Sequence, residues 1–327
     1  MENPEGQNAK ERSKTRKILV LLLKIIGAVI IAIILFLAIV FTVNIISNKS
    51  EQGKIVPYGQ LVPVDGKHMN ALIQGEGEET VVLLPGFGTA SPVLDFKSLI
   101  EELSPFYKVV VLEPFGYGLS DQTEKERSTA NIVGEIHEAL QRLQIDRYIL
   151  MGHSISGIYG LDYVNKYPNE VSAFVGLDSS VPSLSEKEIS SSTISVLKLL
   201  KKSGVIRLNS KLVDDPTAEL PFDDATKEQL RLFANKNMYN STTMNEAGSM
   251  YSNFKAAEEL TFPKELPLIF FVQAHHPATD RWLPEHEKQV KDSVHGKVMT
   301  FDGGHYLHRI HAKDIVENLN EFMKEIK

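Results

Sequence analysis

Cysteine does not occur among the 327 residues of the chain. Its absence excludes disulfide bonds, thiolate nucleophiles and cysteine-based zinc sites, so any catalysis must use oxygen or nitrogen groups.

Positive charge is also scarce. The formal net charge is −7, and the first 24 residues hold six basic against three acidic residues, which leaves the remainder near −10. A domain with that charge repels nucleic acid, so no nucleic-acid partner is expected.

One long hydrophobic run lies near the amino terminus. Residues 25–43, IIGAVIIAIILFLAIVFTV, contain no charge, and at about 1.5 Å per residue they nearly match a hydrocarbon core about 30 Å thick. The polar segment that follows lacks the small-residue cleavage pattern of a signal peptide, so the run predicts an uncleaved transmembrane anchor over 18–46. Basic residues crowd the tail at 1–17, which predicts a cytosolic amino terminus and a catalytic domain outside the cell membrane.

Beyond a polar tether at 47–54, residues 55–327 alternate short apolar runs of β type with amphipathic stretches of helical type. This alternation predicts an α/β fold with a mostly parallel central sheet flanked by helices. The first two runs, QLVPV and HMNALI, are joined by Asp65-Gly66, which predicts an antiparallel hairpin. Between about 181 and 262 the strand-like runs stop, and serine-rich, acidic and helical segments predict an inserted helical lid.

The segment YILMGHSISG, residues 148–157, joins an apolar strand to a helical pattern. A serine on such a tight turn needs small neighbours, because the backbone there is strained; Gly152 and Ser156 supply the space around Ser154. The segment resembles the GxSxG nucleophile elbow of the α/β-hydrolase family, in its lid-bearing esterase and peptidase branch, with Ser156 in place of the usual glycine. The resemblance implies the α/β-hydrolase fold, with Ser154 as the nucleophile.

Two further segments extend this resemblance. VVLLPGFGTAS ends a strand in a turn at 86–88 that takes the place of the family's His-Gly-x loop. The resemblance implies an oxyanion hole made by the backbone amides of Phe87 and Ile155. VVVLEPFGYGLSD is similar to the family's D-x-x-G-x-G-x-S segment, with Glu113 in place of aspartate, and its role is expected to be structural.

In the family order, the acid and the base follow the nucleophile along the chain. His305 lies in TFDGGHYLHRI and matches the family's carboxy-terminal GGH, whereas His308 and His311 fall on the following helical pattern and are expected at the surface. The chain order Ser, Asp, His of the family favours Asp280, in the loop QAHHPATDRWLP, as the acid. Asp178 is the alternative acid, because it ends the strand-like run VSAFVGLD and some lid-bearing relatives use that position.

Four potential metal ligands lie close together in sequence: His275, His276, Asp280 and His286. No recognised ligand spacing such as HExxH occurs, so these side chains are expected to be exposed to solvent. Neither a metal nor another cofactor is predicted.

A hydroxyl nucleophile, a histidine base and an oxyanion hole together predict acyl transfer to water through an acyl-enzyme. The expected enzyme is a carboxylic ester hydrolase or a related acyl hydrolase with a small-molecule or lipid substrate. A serine nucleophile argues against epoxide hydrolysis, for which the family uses aspartate. Two alternatives stay open: an aminopeptidase of the proline iminopeptidase type, and a non-catalytic extracytoplasmic binding or signalling protein on the same scaffold.

Overall fold

The computed structural model describes residues 4–185, 187–277 and 279–327, with side chains from Lys14 onward. The chain divides into two compact units. One consists of Met1–Ser50 and Leu200–Asp214, and the other of Glu51–Leu199 and Asp215–Lys327. The predicted basic tail at 1–17 begins outside the described residues.

The first unit is dominated by one helix, α1 (Pro4–Gln52). Its apolar side chains are exposed along the whole hydrophobic run. Within the described chain it is the one helix long and apolar enough to cross a membrane, over Lys14–Gln52, and an 18-residue window within it has a mean hydropathy of 3.2. The predicted tether at 47–54 is mostly helical, because residues 47–52 contain no glycine or proline and the helix ends just before Gly53.

The second unit is built on an eight-stranded sheet with the order β1-β2-β4-β3-β5-β6-β7-β8. The pairs β1/β2 and β2/β4 are antiparallel and the other pairs are parallel, which confirms the predicted mostly parallel sheet. Asp65 and Gly66 have φ values of 48° and 72°, as a two-residue hairpin turn requires. The strands are β1 (Gln60–Val64), β2 (Lys67–Gln74), β3 (Thr80–Leu84), β4 (Lys108–Glu113), β5 (Tyr148–His153), β6 (Val171–Leu177), β7 (Leu268–Gln273) and β8 (Gly296–Phe301).

Helices cover both faces of this sheet. Successive residues of β3 alternate between two cores: Val82 and Leu84 belong to one, and Val81 and Leu83 to the other. The first core is closed by α4 (Thr129–Arg142), α5 (Ser156–Lys166) and α10 (Trp282–Val290). The second is closed by α2 (Pro92–Asp95), α3 (Lys97–Leu103), α11 (Leu307–Ile310) and α12 (Ala312–Glu325).

Between β6 and β7 the described residues form helices, turns and irregular segments and no strand, and the lid over about 181–262 stays a prediction. A short 3₁₀ turn (Pro182–Leu184) comes first, and four α-helices follow: α6 (Ser191–Ser203), α7 (Val205–Ser210), α8 (Asp224–Asn237) and α9 (Ser241–Ala257). Asp223 and Asn240 start α8 and α9, because their side chains accept the amide protons of Thr226 and Thr243.

Candidate active site

Ser154 lies between β5 and α5 with a φ of +54°, a left-handed conformation that a non-glycine residue rarely adopts. Three hydrogen bonds hold this strained residue. Its amide donates to the carbonyl of Leu177 at 3.2 Å, and its carbonyl accepts from the amides of Gly157 at 2.9 Å and Ser180 at 2.7 Å. A Cβ on Gly152 would lie 2.9 Å from a backbone oxygen, so only glycine fits there. The structure therefore has the strand, turn and helix that the sequence predicted around Ser154.

The serine that replaces the usual glycine of the elbow has a structural function. The hydroxyl of Ser156 is buried and donates to the carbonyl of Pro85 at 2.5 Å, which links the start of α5 to the turn after β3. The next residue, Gly86, packs against the elbow. A Cβ there would lie 2.6 Å from Nδ1 of His153 and 3.0 Å from Cβ of Ser154. Gly86, at the start of the turn at 86–88, is therefore in direct contact with Ser154.

The predicted oxyanion donors are Phe87 and Ile155. Neither amide donates to another group in the described part of the chain, although the following amide, that of Gly88, donates to the hydroxyl of Tyr117 at 3.3 Å. Gly88 has a φ of +72°, which turns the backbone at this point. Two free amides beside Ser154 are the arrangement that stabilises a developing oxyanion.

Tyr117 connects this turn to the inserted helices, a contact that the sequence did not reveal. Its hydroxyl donates to Oε2 of Glu246 at 2.8 Å, and the hydroxyl of Tyr159 donates to Oε1 at 2.7 Å. Burial raises the pKa of the Glu246 carboxyl, although the two tyrosine hydrogen bonds and the charge of Arg127 oppose that rise. A residue of α9 is thus linked through Tyr117 to the amide of Gly88.

His305 is held by Asp178. Its Nδ1 lies 2.6 Å from Oδ2 of Asp178, which follows the carboxyl end of β6. This contact favours Asp178, the alternative acid, over the predicted acid Asp280, which is exposed on the loop before α10. Asp178 follows β6, which lies in the sheet between β5 and β7. Ser154 follows β5, and the loop that carries Asp280 follows β7. The carboxyl ends of parallel neighbours meet at one edge of the sheet.

Asp178 is fully buried and receives three hydrogen bonds besides that of His305. The amide of Gln273 donates to Oδ1 at 3.0 Å and its side-chain amide to Oδ2 at 2.7 Å, while the indole of Trp282 donates to Oδ1 at 2.7 Å. Burial alone would raise the pKa of Asp178, but these hydrogen bonds and His305 outweigh burial and lower it. The carboxylate is therefore held in its charged form.

Ser154 and His305 line the same cavity, which has a volume of about 540 Å³. Its apolar wall comes from Leu184, Phe254 and Trp282, so the inserted segment and α10 both contribute. Cavities of this size commonly hold small molecules.

Comparison with known proteins agrees with this geometry. Residues 79–194 match the family described as alpha/beta hydrolase fold, a range that includes the turn after β3 and the Ser154 elbow. The chain has the alpha/beta hydrolase fold. Over 255 residues it is 28% identical to the uncharacterized protein YbdG of Bacillus subtilis, which covers 76% of this chain and 78% of YbdG. It is 33% identical over 96 residues to the karrikin insensitive 2 receptor CA of Petunia hybrida, or 28% of this chain and 35% of the receptor.

Solved structures support the same hydrolase fold. The epoxide hydrolase VrEH1 of Vigna radiata aligns with a TM-score of 0.62 at 20% identity, over 81% of this chain and 97% of its own. The enol-lactonase of Burkholderia xenovorans aligns with a TM-score of 0.57 at 16% identity, over 81% and 100%. Named hydrolases among the relatives, such as the serine hydrolase BPHL of Mus musculus at 30% identity over 35% of this chain and 40% of its own, support an enzyme.

One histidine corrects the expectation of a surface position, and a second buried histidine lies beside it. His308 is fully buried, and its Nε2 lies 2.9 Å from Oδ2 of Asp95, which also pairs with Arg309. His153 is buried beside them, with Nε2 at 3.0 Å from the carbonyl of His305, and burial lowers its pKa well below the ordinary value. These side chains pack beneath the segment that contains His305, and His153 contacts its backbone directly.

The loop after β7 corrects a second expectation of exposure. His275 and Asp280 are exposed and His276 is half-buried, but His286 is fully buried in α10. The two ring nitrogens of His286 lie 2.8 Å from the carbonyls of Trp282 and Ser179. Its role is thus to fix α10 against the strand end that carries Asp178, a tertiary contact with no local sequence signal.

Proposed function

We propose that the chain is a serine hydrolase that cleaves an ester or related acyl bond through an acyl-enzyme. Ser154 is the nucleophile, His305 the general base and Asp178 the residue that orients the base. The observation that carries the proposal is the 2.6 Å contact between Asp178 and Nδ1 of His305, at a cavity that also contains the strained Ser154. Ser154 and His305 line this cavity and Asp178 is buried behind His305, which is the order of groups in a serine hydrolase triad.

The reaction follows from what each group can bind. Asp178 accepts the Nδ1 proton of His305, which leaves the other ring nitrogen free to take the hydroxyl proton of Ser154 as its oxygen attacks the carbonyl carbon. The carbonyl oxygen gains negative charge and is stabilised by the amides of Phe87 and Ile155. His305 then returns the proton to the leaving group, and a water molecule hydrolyses the acyl-enzyme by the same steps.

The substrate class is a small molecule with an acyl bond, because the cavity has the volume of a small-molecule site and partly apolar walls. Relatives are named as a putative carbamate hydrolase of Cronobacter turicensis and as a 2-hydroxy-6-oxononadienedioate hydrolase of Escherichia coli. Both names describe hydrolysis of a small molecule. A serine at the elbow supports acyl transfer over the epoxide opening named for some structural neighbours.

The test is covalent labelling with a fluorophosphonate, followed by peptide mapping. The wild-type chain should be labelled at Ser154, and Ser154→Ala should lose both the label and nearly all hydrolysis of p-nitrophenyl acetate. Ser180→Ala is the matched control, because Ser180 lines the same cavity and should leave labelling intact. Full labelling of Ser154→Ala would remove Ser154 from the mechanism.

A binding or signalling protein is the second candidate, favoured by similarity to proteins named as karrikin insensitive 2 receptors. It predicts a wild-type chain that binds a ligand without turnover of esters, thioesters or amides. Labelling at Ser154 together with multiple turnovers of p-nitrophenyl acetate would exclude it.

We further propose that α1 anchors the enzyme in the cell membrane, with its amino terminus in the cytosol. The length and hydropathy of Lys14–Gln52 support a span, and the basic residues before it support the orientation. Trypsin added outside intact cells should release the domain by cleavage after Lys54, which is exposed and follows the end of the helix. A cytosolic marker must stay uncut. Protection of the domain until the cells are broken would reverse the orientation.

A further inference from the structure

Part of the inserted helical segment belongs to the same compact unit as α1. Residues 200–214, which include α7, pack against the end of that helix. The contact is close at Gly204, where a Cβ would lie 2.6 Å from Cβ of Asn44 and 3.1 Å from the carbonyl oxygen of Val40. Val40 lies within the uncharged run that ends at Val43. The segment therefore meets α1 at the level where the hydrophobic run ends.

Polar side chains fix this contact. Arg207 is buried, and its Nε donates to Oδ1 of Asn44 at 2.9 Å while a terminal guanidinium nitrogen donates to Oδ1 of Asn48. The side-chain amide of Asn44 donates to the carbonyl of Lys202 at 3.5 Å. Asn44 and Asn48 are four residues apart and so share one face of α1. They hold α7 at the polar end of the helix.

The same segment exposes apolar side chains next to basic ones. Leu212 is 76% exposed and Val213 is 55% exposed. Lys202 and Lys211 are exposed on either side of α7. A short segment that combines exposed apolar groups with lysines has the composition of elements that lie in the membrane interface.

We propose that residues 200–214 dock on the lipid surface around α1, so that Leu212 and Val213 enter the boundary between headgroups and acyl chains while Lys202 and Lys211 meet anionic headgroups. The occupant of the exposed face is thus the outer leaflet of the bilayer. The inference rests on the membrane anchor proposed above. It implies that one part of the inserted segment contacts the membrane.

The absence of cysteine allows a direct test on the full chain. Leu212→Cys and Phe36→Cys are labelled singly with the fluorophore NBD in nanodiscs of phosphatidylcholine and phosphatidylglycerol, with and without phosphatidylcholine that carries a 5-doxyl spin label. Free NBD-cysteine is the hydrated reference. Both substituted side chains are exposed, so neither change should prevent folding.

Spin-labelled lipid should quench NBD at position 212 at least twofold, and NBD at position 36, in the middle of the hydrophobic run, should also be quenched. If NBD at position 36 is quenched while NBD at position 212 is quenched no more than free NBD-cysteine, the docking inference is overturned and the anchor stays in place. Absence of quenching at both positions would overturn the anchor as well. Replacement of phosphatidylglycerol by phosphatidylcholine should weaken quenching at 212 and leave position 36 unchanged.

Discussion

Replacement of Asp178 by asparagine gives the sharpest test of the site, because it keeps the size of the side chain and changes which atoms accept protons. Oδ1 of Asp178 accepts from the amide of Gln273 and the indole of Trp282, whereas Oδ2 accepts from His305 and the side-chain amide of Gln273. The single oxygen of asparagine should take the Oδ1 position, since two fixed donors point there. Its NH₂ group then faces Nδ1 of His305.

An NH₂ group in that place cannot accept the Nδ1 proton. His305 must then present a bare Nδ1 and carry its proton on the other ring nitrogen, which is the nitrogen that has to accept the proton of Ser154. The base is thus held in the wrong tautomer. Loss of the orienting carboxylate in another serine hydrolase lowers kcat by about 10⁴, and a factor of that size corresponds to about 5 kcal/mol in the activation free energy.

The assay is kcat for p-nitrophenyl acetate, with the rate of fluorophosphonate labelling as a second readout of nucleophile activation. Asp178→Asn should lose about four orders of magnitude in kcat and keep its circular dichroism spectrum. Asp280→Asn is the matched control and should behave as wild type, because Asp280 is exposed. A crippled Asp280→Asn enzyme beside an active Asp178→Asn enzyme would refute the assignment.

Two further predictions concern side chains around the triad. Tyr117→Phe removes the acceptor for the amide of Gly88 and a donor to buried Glu246. The value of kcat should fall about tenfold, which corresponds to roughly the 1–2 kcal/mol of one such hydrogen bond. An unchanged kcat would exclude a role of Tyr117 in shaping the turn at 86–88. Burial lowers the pKa of His153, so below about pH 6.5 the unfolded chain binds a proton that the folded chain does not, and stability falls on acidification. Between pH 7.5 and pH 5.5 the free energy of unfolding, measured with urea, should fall less for His153→Gln than for the wild-type chain. An equal fall in both chains would contradict this role of His153.

The elbow and the base were predictable because their signals are local. A tight turn between strand and helix requires small residues within a few positions of Ser154, and the sequence contains them. The sheet was predictable for a similar reason, since strands buried on both faces are short continuous apolar runs. Ser156 shows the limit of this reasoning. Its small size was evident, but its hydrogen bond is to the carbonyl of Pro85, in a turn 71 residues earlier.

The acid was not decided by the sequence, because Asp178 and Asp280 both follow Ser154 and precede His305 in chain order. The difference lies in donors from elsewhere in the fold, namely Gln273 at the end of β7 and Trp282 at the start of α10. The buried histidines were missed for a comparable reason. His308 is paired with Asp95, which lies 213 residues earlier, and no pattern in either segment indicates the other.

The proposed acid, Asp178, follows β6, so the loop after β7 does not have to carry it. The helix that follows this loop, α10, begins with Trp282, which donates to Asp178 and at the same time forms part of the cavity wall. A substrate that fills the cavity therefore contacts a side chain hydrogen-bonded to the acid. In the proposed mechanism Trp282 therefore belongs both to the wall that meets the substrate and to the donors that hold Asp178.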